Sequence, residues 1–120
     1  MKILLVDDSS TMRRIQKNTL TQIGLTDVEE AEDGEAAVAK VKSGNYDLVL
    51  MDWNMPKMTG IEALKKIKSD DATKGVPVIM VTSESEKTRI IEAIQAGAAN
   101  YIVKPFQPET LQEKIAGIKK

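Results

Sequence analysis

The chain has 120 residues, 42% of them hydrophobic and 29% charged, so it can fold as one domain around its own core. Its 17 basic and 18 acidic residues give a net charge of −1, which leaves no strong field for holding nucleic acid or an anionic membrane. The sequence contains no cysteine and no histidine, which excludes disulfides, thiol or imidazole nucleophiles and ordinary zinc sites. Any chemistry must therefore use carboxylates, hydroxyls, lysines and hard metal ions.

Strands and helices alternate in the predicted order of elements. In chain order, aliphatic runs at 2–6, 27–31, 48–51, 76–81 and 101–103 predict strands. The second is a weak edge strand, and the others are typical of strands buried on both faces of a parallel sheet. A helix is predicted after each strand from apolar residues at helical spacing. The predicted inner faces of the five helices are, in order, Met12, Ile15, Leu20 and Ile23; Ala37 and Val41; Ile61, Leu64 and Ile67; Ile90, Ile94 and Ala98; and Leu111, Ile115 and Ile118.

Residues that begin and end helices lie where this pattern needs them. Gly24, Gly44 and Gly97 follow the first, second and fourth helices, as expected of C-terminal caps. The stretch 59–62 has the spacing of a capping box at the start of the third helix, and Pro108 suits the first turn of the fifth. The start "MKILLVDDSS" turns acidic too early for a signal peptide, and no apolar run approaches the ~20 residues of a membrane span, so we expect a cytoplasmic protein.

These elements predict an α/β fold, with residues 1–120 forming one doubly wound (βα)5 domain. Its five-stranded parallel sheet would have the flavodoxin-like order 2-1-3-4-5, in which the first and third strands meet at the switch point where ligand crevices open. All parallel strands end at the same edge of such a sheet. We therefore expect Asp7 and Asp8, after the first strand, to converge with Asp52, after the third. Thr82 and Lys104 follow the fourth and fifth strands and should lie at the same edge.

This group of side chains suits phosphoryl chemistry. Three crowded carboxylates raise one another's pKa and repel unless a cation neutralises them. Mg²⁺ accepts a few carboxylate oxygens while keeping water or phosphate oxygens, so it is the expected ion. Lys104 adds positive charge, and the Thr82 hydroxyl can bond a phosphoryl oxygen. An aspartate among these groups can attack phosphorus, so the sequence predicts aspartyl phosphorylation.

Each of these residues also has a structural interpretation. Asp7 and Asp8 could cap the first helix, Thr82 could start the fourth, and Lys104 with Pro105 could form a turn. Their coincidence at one sheet edge favours the functional interpretation.

The other notable side chains near this edge are interpreted structurally. Trp53, the single tryptophan, is expected to be a partly exposed neighbour of the site, and Tyr101 a core aromatic. Met51, Met55 and Met58 are expected to be packing residues.

Four segments, "LLVDDS", "DWNMPKMTG", "VTSE" and "YIVKPF", resemble the response regulator receiver domain at these separations. The resemblance covers essentially the whole chain and is specific to stand-alone chemotaxis regulators of the CheY type. It implies that Asp52 is the phosphoacceptor. It also implies that Asp8, Asp52 and the backbone carbonyl of Asn54 bind Mg²⁺ directly, and that Asp7 reaches the ion through water.

The same resemblance implies a switch. Thr82 and Lys104 correspond to the family's switch hydroxyl and lysine, and Pro105 would follow a cis peptide bond. When Thr82 moves toward the phosphoryl group, Tyr101 is expected to turn inward and remodel the surface read by a partner. That surface would include Lys87, Arg89 and Tyr101.

The resemblance further implies a signalling protein that promotes only its own phosphorylation and dephosphorylation, rather than an enzyme. A histidine kinase of the chemotaxis type would supply the phosphoryl group, a flagellar motor switch protein would bind the phosphorylated form, and a phosphatase is a further expected partner. Asn54 and Glu84, two residues after Asp52 and Thr82, would flank the path of the hydrolytic water, which predicts a short-lived phosphoryl group. We expect a monomer.

Other functions remain open at this point. The nearest is a receiver that acts as a phosphorelay intermediate or a phosphate sink. A receiver from a longer transcription factor is disfavoured because no linker or basic DNA-reading segment follows the fifth helix. An aspartate-based phosphatase would need a D-x-D arrangement, whereas Asp7 and Asp8 are adjacent. A flavin carrier would need a phosphate-binding loop where this chain has "DDSSTMRR".

Overall fold

The computed structural model of the chain describes residues 1–53, 55, 58–82, 87–104 and 106–118, with Lys87 described by its backbone alone. Strands and helices alternate through these residues as predicted. The elements are β1 (Ile3–Val6), α1 (Ser10–Gln22), β2 (Val28–Ala31), α2 (Gly34–Ser43), β3 (Leu48–Asp52), α3 (Gly60–Ser69), β4 (Val78–Thr82), α4 (Lys87–Gln95), β5 (Asn100–Val103) and α5 (Pro108–Ala116).

The strands form one parallel sheet in the order β2-β1-β3-β4-β5, which confirms the predicted fold class, strand order and edge position of β2. Successive strand residues face opposite sides of the sheet, so nearly continuous aliphatic strands supply two cores. Leu4 and Val6 face the layer that contains α2, α3 and α4. Ile3 and Leu5 face the layer that contains α1 and α5. The molecule is therefore a three-layer sandwich with every central strand buried on both sides.

The helix ends largely follow the predicted caps. Gly24 and Gly97 have φ of +85° and +105°, a left-handed conformation that suits glycine. Gly44 caps α2 in an extended conformation instead, with its N–H bonded to the Lys40 carbonyl. The capping box between Thr59 and Glu62 is present in both directions.

Ser9, rather than Asp7 or Asp8, is the N-cap of α1. Its side chain accepts a hydrogen bond from the Met12 N–H at 3.2 Å. The structural interpretation in which the two aspartates cap this helix is therefore wrong, and both carboxylates are available to the strand edge.

The inner faces of α1 and α4 differ from the prediction. Ile15 and Ile94 belong to the predicted inner faces, but each is 48% exposed. On α1 the position beside the sheet is taken by Gln16, because a carboxylate partner lies there. On α4 the buried position is Ala93, whose small side chain lets the helix lie close to the sheet.

The two aromatic predictions near the edge are also corrected. Trp53 is only 8% exposed and belongs to the same core as Val49 and Met51, because it continues their alternation one residue beyond the end of β3. Tyr101 is half-buried rather than a core residue. Met51, Met55 and Met58 pack in or against the core, as predicted. Within the described ranges, no helix has the length and apolar character needed to cross a bilayer.

Candidate functional site

The structure brings the predicted site residues to the carboxyl edge of the sheet. Asp7 and Asp8 follow β1 directly, Asp52 and Thr82 are the last residues of β3 and β4, and Lys104 follows β5. Asp7, Asp52 and Thr82 are buried, Asp8 is exposed and Lys104 lies between these extremes. The buried residues form the floor of a crevice, and the exposed Asp8 carboxylate lies at its rim.

Carboxylate oxygens of Asp7, Asp8 and Asp52 lie within 4.8 Å of one another. We call these three residues, together with Lys104, the acidic site. Lys104 Nζ donates to Asp52 Oδ1 at 2.8 Å and lies 3.4 Å from Asp7 Oδ2. One lysine faces three carboxylates, so the acidic site carries surplus negative charge. Closely spaced carboxylate oxygens with this surplus fit a hard divalent cation such as Mg²⁺.

The pKa values of Asp52 and Lys104 follow from burial and from this surplus of negative charge. Burial raises the pKa of Asp52 above its ordinary value, and the neighbouring charges of Asp7 and Asp8 add to the effect despite the hydrogen bond from Lys104. Burial alone would lower the pKa of Lys104, but its hydrogen bond and charge interaction with Asp52, with a smaller effect of Asp7, raise that pKa. Lys104 is therefore held in its charged form beside the carboxylates.

Two residues of α1 that the sequence analysis did not single out anchor Asp7. Gln16 donates from Nε2 to Asp7 Oδ2 at 3.3 Å. Arg13 donates from Nη1 to the Asp7 carbonyl and from Nε to Glu30 at 2.8 Å, which ties the loop after β1 to β2. The spacing of four between Met12, Gln16 and the buried Leu20 was the available signal, because it places a polar residue on the inner face of the helix.

Gly60 allows the start of α3 to lie against the backbone of Asp52. Its N–H donates to the Trp53 carbonyl at 2.8 Å. A Cβ added at this position would lie 2.0 Å from the Asp52 carbonyl oxygen and 3.0 Å from Trp53 Cα. Gly60 lies within the predicted capping box of residues 59–62, but the close approach of two backbone segments has no signal in the sequence.

Two cation–π contacts involve aromatic residues named in the sequence predictions, Trp53 and Tyr101. The Arg89 guanidinium lies over the Trp53 ring at 5.3 Å from its centroid, which joins α4 to the segment after Asp52. Lys114 Nζ of α5 lies 4.4 Å from the centroid of the Tyr101 ring. Arg89 and Tyr101, both assigned to a partner surface, are thus half-buried and engaged within the molecule.

Several predicted site residues lie outside the described residues. These are Asn54, as metal ligand and tuning position; Glu84, as the second tuning position; Pro105; and the side chain of Lys87.

Comparisons with known proteins cover nearly the whole chain. Residues 3–116 match the response regulator receiver domain family. A Pseudomonas aeruginosa protein named chemotaxis protein CheY is 52% identical over 118 residues, which are 98% of this chain and 95% of that protein. Chemotaxis protein CheY-3 of Vibrio cholerae is 53% identical over 115 residues, which are 96% of this chain and 88% of that protein.

Solved structures agree in fold over the same extent. Chemotaxis protein CheY4 of Vibrio cholerae superposes with a TM-score of 0.86 at 38% identity, over 96% of this chain and 95% of that one. A CheY-like response regulator receiver domain protein from Methanospirillum hungatei gives a TM-score of 0.84 at 34% identity, over 96% and 90% of the two chains. The family match over residues 3–116 therefore includes all four strand ends that form the crevice.

Proposed function

This chain belongs to the response regulator receiver family, as a receiver of the CheY type, and we propose that it accepts a phosphoryl group on Asp52 in chemotaxis signalling. The whole of residues 1–120 would act as one receiver domain. The observation that carries the proposal is the 2.8 Å contact between Lys104 Nζ and Asp52 Oδ1 in a crevice that also holds Asp7 and Asp8.

The transfer requires an activated phosphoryl donor, since this chain has no histidine of its own. A phosphohistidine on a chemotaxis-type kinase fits that need. An Asp52 carboxylate oxygen would form the new bond to phosphorus while the phosphorus–nitrogen bond breaks, and the leaving imidazole takes up a proton. Lys104, already bonded to Asp52, would pair with the charge that the phosphoryl oxygens bring into the crevice.

Asp7, Asp8 and Asp52 would hold Mg²⁺, with the Asn54 carbonyl as a further ligand. When bound, the ion would neutralise carboxylate and phosphoryl charge. The three carboxylates of this chain fit such an ion because their oxygens converge and Lys104 offsets only part of their charge.

Phosphorylation would act as a switch. It adds roughly two negative charges and three acceptor oxygens at Asp52, so conformations that bring Thr82 and Lys104 to those oxygens gain free energy. Thr82 lies beside Val103 in the sheet and its carbonyl accepts from the Lys104 N–H at 2.8 Å, so a shift at Thr82 would be felt in β5. Tyr101, two residues earlier on β5, would turn inward with it.

The output of the switch would be a change in binding to a flagellar motor switch protein through a surface that includes Lys87, Arg89 and Tyr101. A partner responds only to the extent that its affinity differs between the two states. A phosphatase and hydrolysis tuned by Asn54 and Glu84 would return the protein to its resting state. We propose a monomeric cytoplasmic protein whose role is signalling rather than turnover of an external substrate.

Incubation with acetyl phosphate and Mg²⁺, read by intact mass, tests the phosphorylation step. We expect the mass of one phosphoryl group to appear on the wild-type chain and on Glu29→Gln, a carboxylate change on the β2 edge. We expect no gain for Asp52→Asn or for wild type in EDTA. Phosphorylation of Asp52→Asn to the wild-type extent would contradict the assignment.

Binding to the motor switch protein of the same organism separates a regulator from a phosphate sink. We expect phosphorylation to raise the affinity of wild type and of Thr82→Ser, which keeps the hydroxyl. Thr82→Ala should still become phosphorylated but gain little affinity. If phosphorylation left the affinity of wild type unchanged, the sink or relay alternative would replace the motor role.

A further inference from the structure

Gln16 is a buried polar side chain that the chemistry described above does not use. Its side chain lies on the inner face of α1 and is 3% exposed. Nε2 points across to the loop after β1 and donates to Asp7 Oδ2 at 3.3 Å. A side-chain amide buried without a partner would destabilise the fold, so this contact accounts for a polar residue at a core position.

Thr19, the next buried polar residue of α1, is satisfied differently. Its hydroxyl donates to the Ile15 carbonyl of its own helix at 3.1 Å. A buried hydroxyl on α1 can thus be accommodated without reaching the acidic site. The contact between Gln16 and Asp7 is a separate feature that connects the helix to a proposed metal ligand.

Oδ2 of Asp7 is shared between two donors. Gln16 Nε2 lies 3.3 Å away and Lys104 Nζ 3.4 Å away, both longer than the about 2.9 Å typical of an N–H···O hydrogen bond. Lys104 lies closer to Asp52, at 2.8 Å. The other oxygen of Asp7, Oδ1, accepts the Ser9 N–H at 2.9 Å. Of the two carboxylate contacts that Lys104 makes, the one with Asp7 is therefore the weaker.

We propose that Gln16 is a positioning residue that keeps the Asp7 carboxylate in place when Lys104 moves to the phosphoryl group on Asp52. This inference rests on the function proposed above. Asp7 is almost fully buried, so a departing lysine leaves its Oδ2 with little access to bulk water. Gln16 is fixed on a helix whose cap, Ser9, is itself bonded to Asp7, so its amide can tighten onto the oxygen that Lys104 releases.

The packing around Lys104 leaves room for this exchange. A cavity of about 20 Å³ lies between α1 and the segment after β5. Its lining residues are Met12, Ile15, Gln16, Thr19, Lys104 and Phe106. A space of this size holds about one water molecule. Lys104 and Gln16 both line this space, so neither side chain is fully packed on that side.

Gln16→Met tests the proposal, because methionine keeps the length and volume of glutamine and removes the donor. We expect the Kd for Mg²⁺, measured by Trp53 fluorescence, to rise about tenfold, as for other residues that orient metal ligands. The half-saturating Mg²⁺ concentration for phosphorylation by acetyl phosphate should rise equally, while the rate at saturating Mg²⁺ falls less. Thr19→Val, the matched change on the same face, should leave both values unchanged.

Combination with Lys104→Met separates positioning from packing. In that background Gln16 is the remaining side-chain donor to Asp7 Oδ2 among the contacts described, so Gln16→Met should raise the Kd for Mg²⁺ by a larger factor than in wild type. An equal factor in both backgrounds, or an equal effect of Thr19→Val, would overturn the proposal. If wild type itself does not bind Mg²⁺, the proposed function is wrong, and this inference is wrong with it.

The NMR signal of the Gln16 side-chain amide gives a second measurement that needs no substitution. In wild type we expect slow hydrogen exchange and a shift of this signal on addition of Mg²⁺ and again on addition of acetyl phosphate. The exposed Gln112 amide is the reference that should not respond. A Gln16 amide that exchanges and shifts like Gln112 would overturn the proposal even if Gln16→Met fails to fold.

Discussion

Two clusters of charged side chains in this molecule are built in opposite ways. The acidic site holds three carboxylates and one lysine, and the two carboxylates that contact the lysine, Asp7 and Asp52, are buried. The second cluster, which we call the Glu29 cluster, lies beside β2 and comprises Glu29, Lys2, Lys40 and Tyr46. There a single carboxylate accepts the Tyr46 hydroxyl at 2.8 Å and faces Lys2 at 3.3 Å and Lys40 at 3.8 Å.

The pKa values follow this difference. Burial and neighbouring carboxylates raise the pKa of Asp52, whereas the hydrogen bond from Tyr46, with Lys2 and Lys40, lowers the pKa of Glu29. The Glu29 cluster is satisfied by its own residues and contributes to folding. The acidic site is left with uncompensated charge, which is the condition of a site that binds a cation and then a phosphoryl group.

Gly60→Ala is expected to have the largest effect, because it breaks the frame of the acidic site. The new Cβ would lie 2.0 Å from the Asp52 carbonyl oxygen, a backbone atom that cannot rotate away. We expect the free energy of unfolding in urea to fall by about 3 kcal/mol, as for overpacked cores. Gly75→Ala is the control, since a Cβ there meets nothing within 4 Å, and a similar loss for Gly75→Ala would contradict this explanation.

Asp8→Asn sharpens the comparison by removing one charge from the acidic site. Asp8 is exposed and makes no described contact with Lys104, so its loss relieves repulsion without breaking that lysine's ion pairs. In EDTA we expect the free energy of unfolding to rise by on the order of 1 kcal/mol. Added Mg²⁺ should stabilise wild type but not the variant.

The same chemical change at the other cluster should have the opposite sign. Glu29→Gln removes the single carboxylate that Lys2, Lys40 and Tyr46 share, so we expect a lower free energy of unfolding in EDTA and in Mg²⁺ alike. If Asp8→Asn and Glu29→Gln both destabilised the protein in EDTA, the contrast between the clusters would be wrong.

These contrasts also show how far the sequence predicts the molecule. The aliphatic strands and the polar residues that end them locate Asp52, Thr82 and Lys104, because strand topology alone brings parallel strand ends together. Strand topology does not predict that Gln16 is buried and Ile15 exposed. Hydrophobicity ranks these two residues the other way, and the deciding partner, Asp7 Oδ2, lies outside the helix, nine residues earlier in the chain.

The close approach at Gly60 and the burial of Trp53 were likewise beyond the sequence. The first depends on the start of α3 lying against the end of β3, with the Gly60 N–H bonded to the Trp53 carbonyl, and the second on packing that includes Arg89 of α4 over the Trp53 ring. Local spacing identified the capping box nearby but carries no information about the backbone that packs against it.

One cation–π contact lies beside the acidic site and another lies within the Glu29 cluster, and removal of either cation should have a smaller effect on stability. Arg89→Leu removes the cation over Trp53 beside the acidic site, and we expect a loss of about 0.5 kcal/mol together with a changed Trp53 emission spectrum. Lys2 lies 5.0 Å from the Tyr46 ring centroid in the Glu29 cluster. Lys2→Leu should leave the Trp53 emission and its response to Mg²⁺ unchanged; a change there would show that the two clusters communicate.

The smallest expected effect is in the pH dependence of stability, because Glu29 is exposed and screened. The lowered folded-state pKa of Glu29 contributes stability above its ordinary pKa of 4.5, which is lost as pH falls through the folded value. The stability advantage of wild type over Glu29→Gln should therefore disappear in acid.

Asp52 has the opposite sign, since a raised carboxyl pKa means that the folded state binds its proton more readily. In EDTA, Asp52→Asn should be more stable than wild type at neutral pH, and this advantage should shrink as pH falls through the folded pKa toward 3.8. Urea unfolding over this pH range measures both slopes. The difference in unfolding free energy between wild type and variant should change with pH in opposite directions for Glu29→Gln and Asp52→Asn. A change in the same direction for both would contradict the opposite pKa shifts of the two carboxylates.

Trp53 fluorescence tests the central claim most directly, because this buried tryptophan directly follows Asp52 in the chain. In a Mg²⁺ titration followed by acetyl phosphate, we predict a saturable change with the ion and a second change with the phosphoryl donor. Asp52→Asn should lose the second change. If wild type gives neither change while Trp53 emission still responds to unfolding in urea, the acidic site does not bind a cation or accept a phosphoryl group, and the account is wrong.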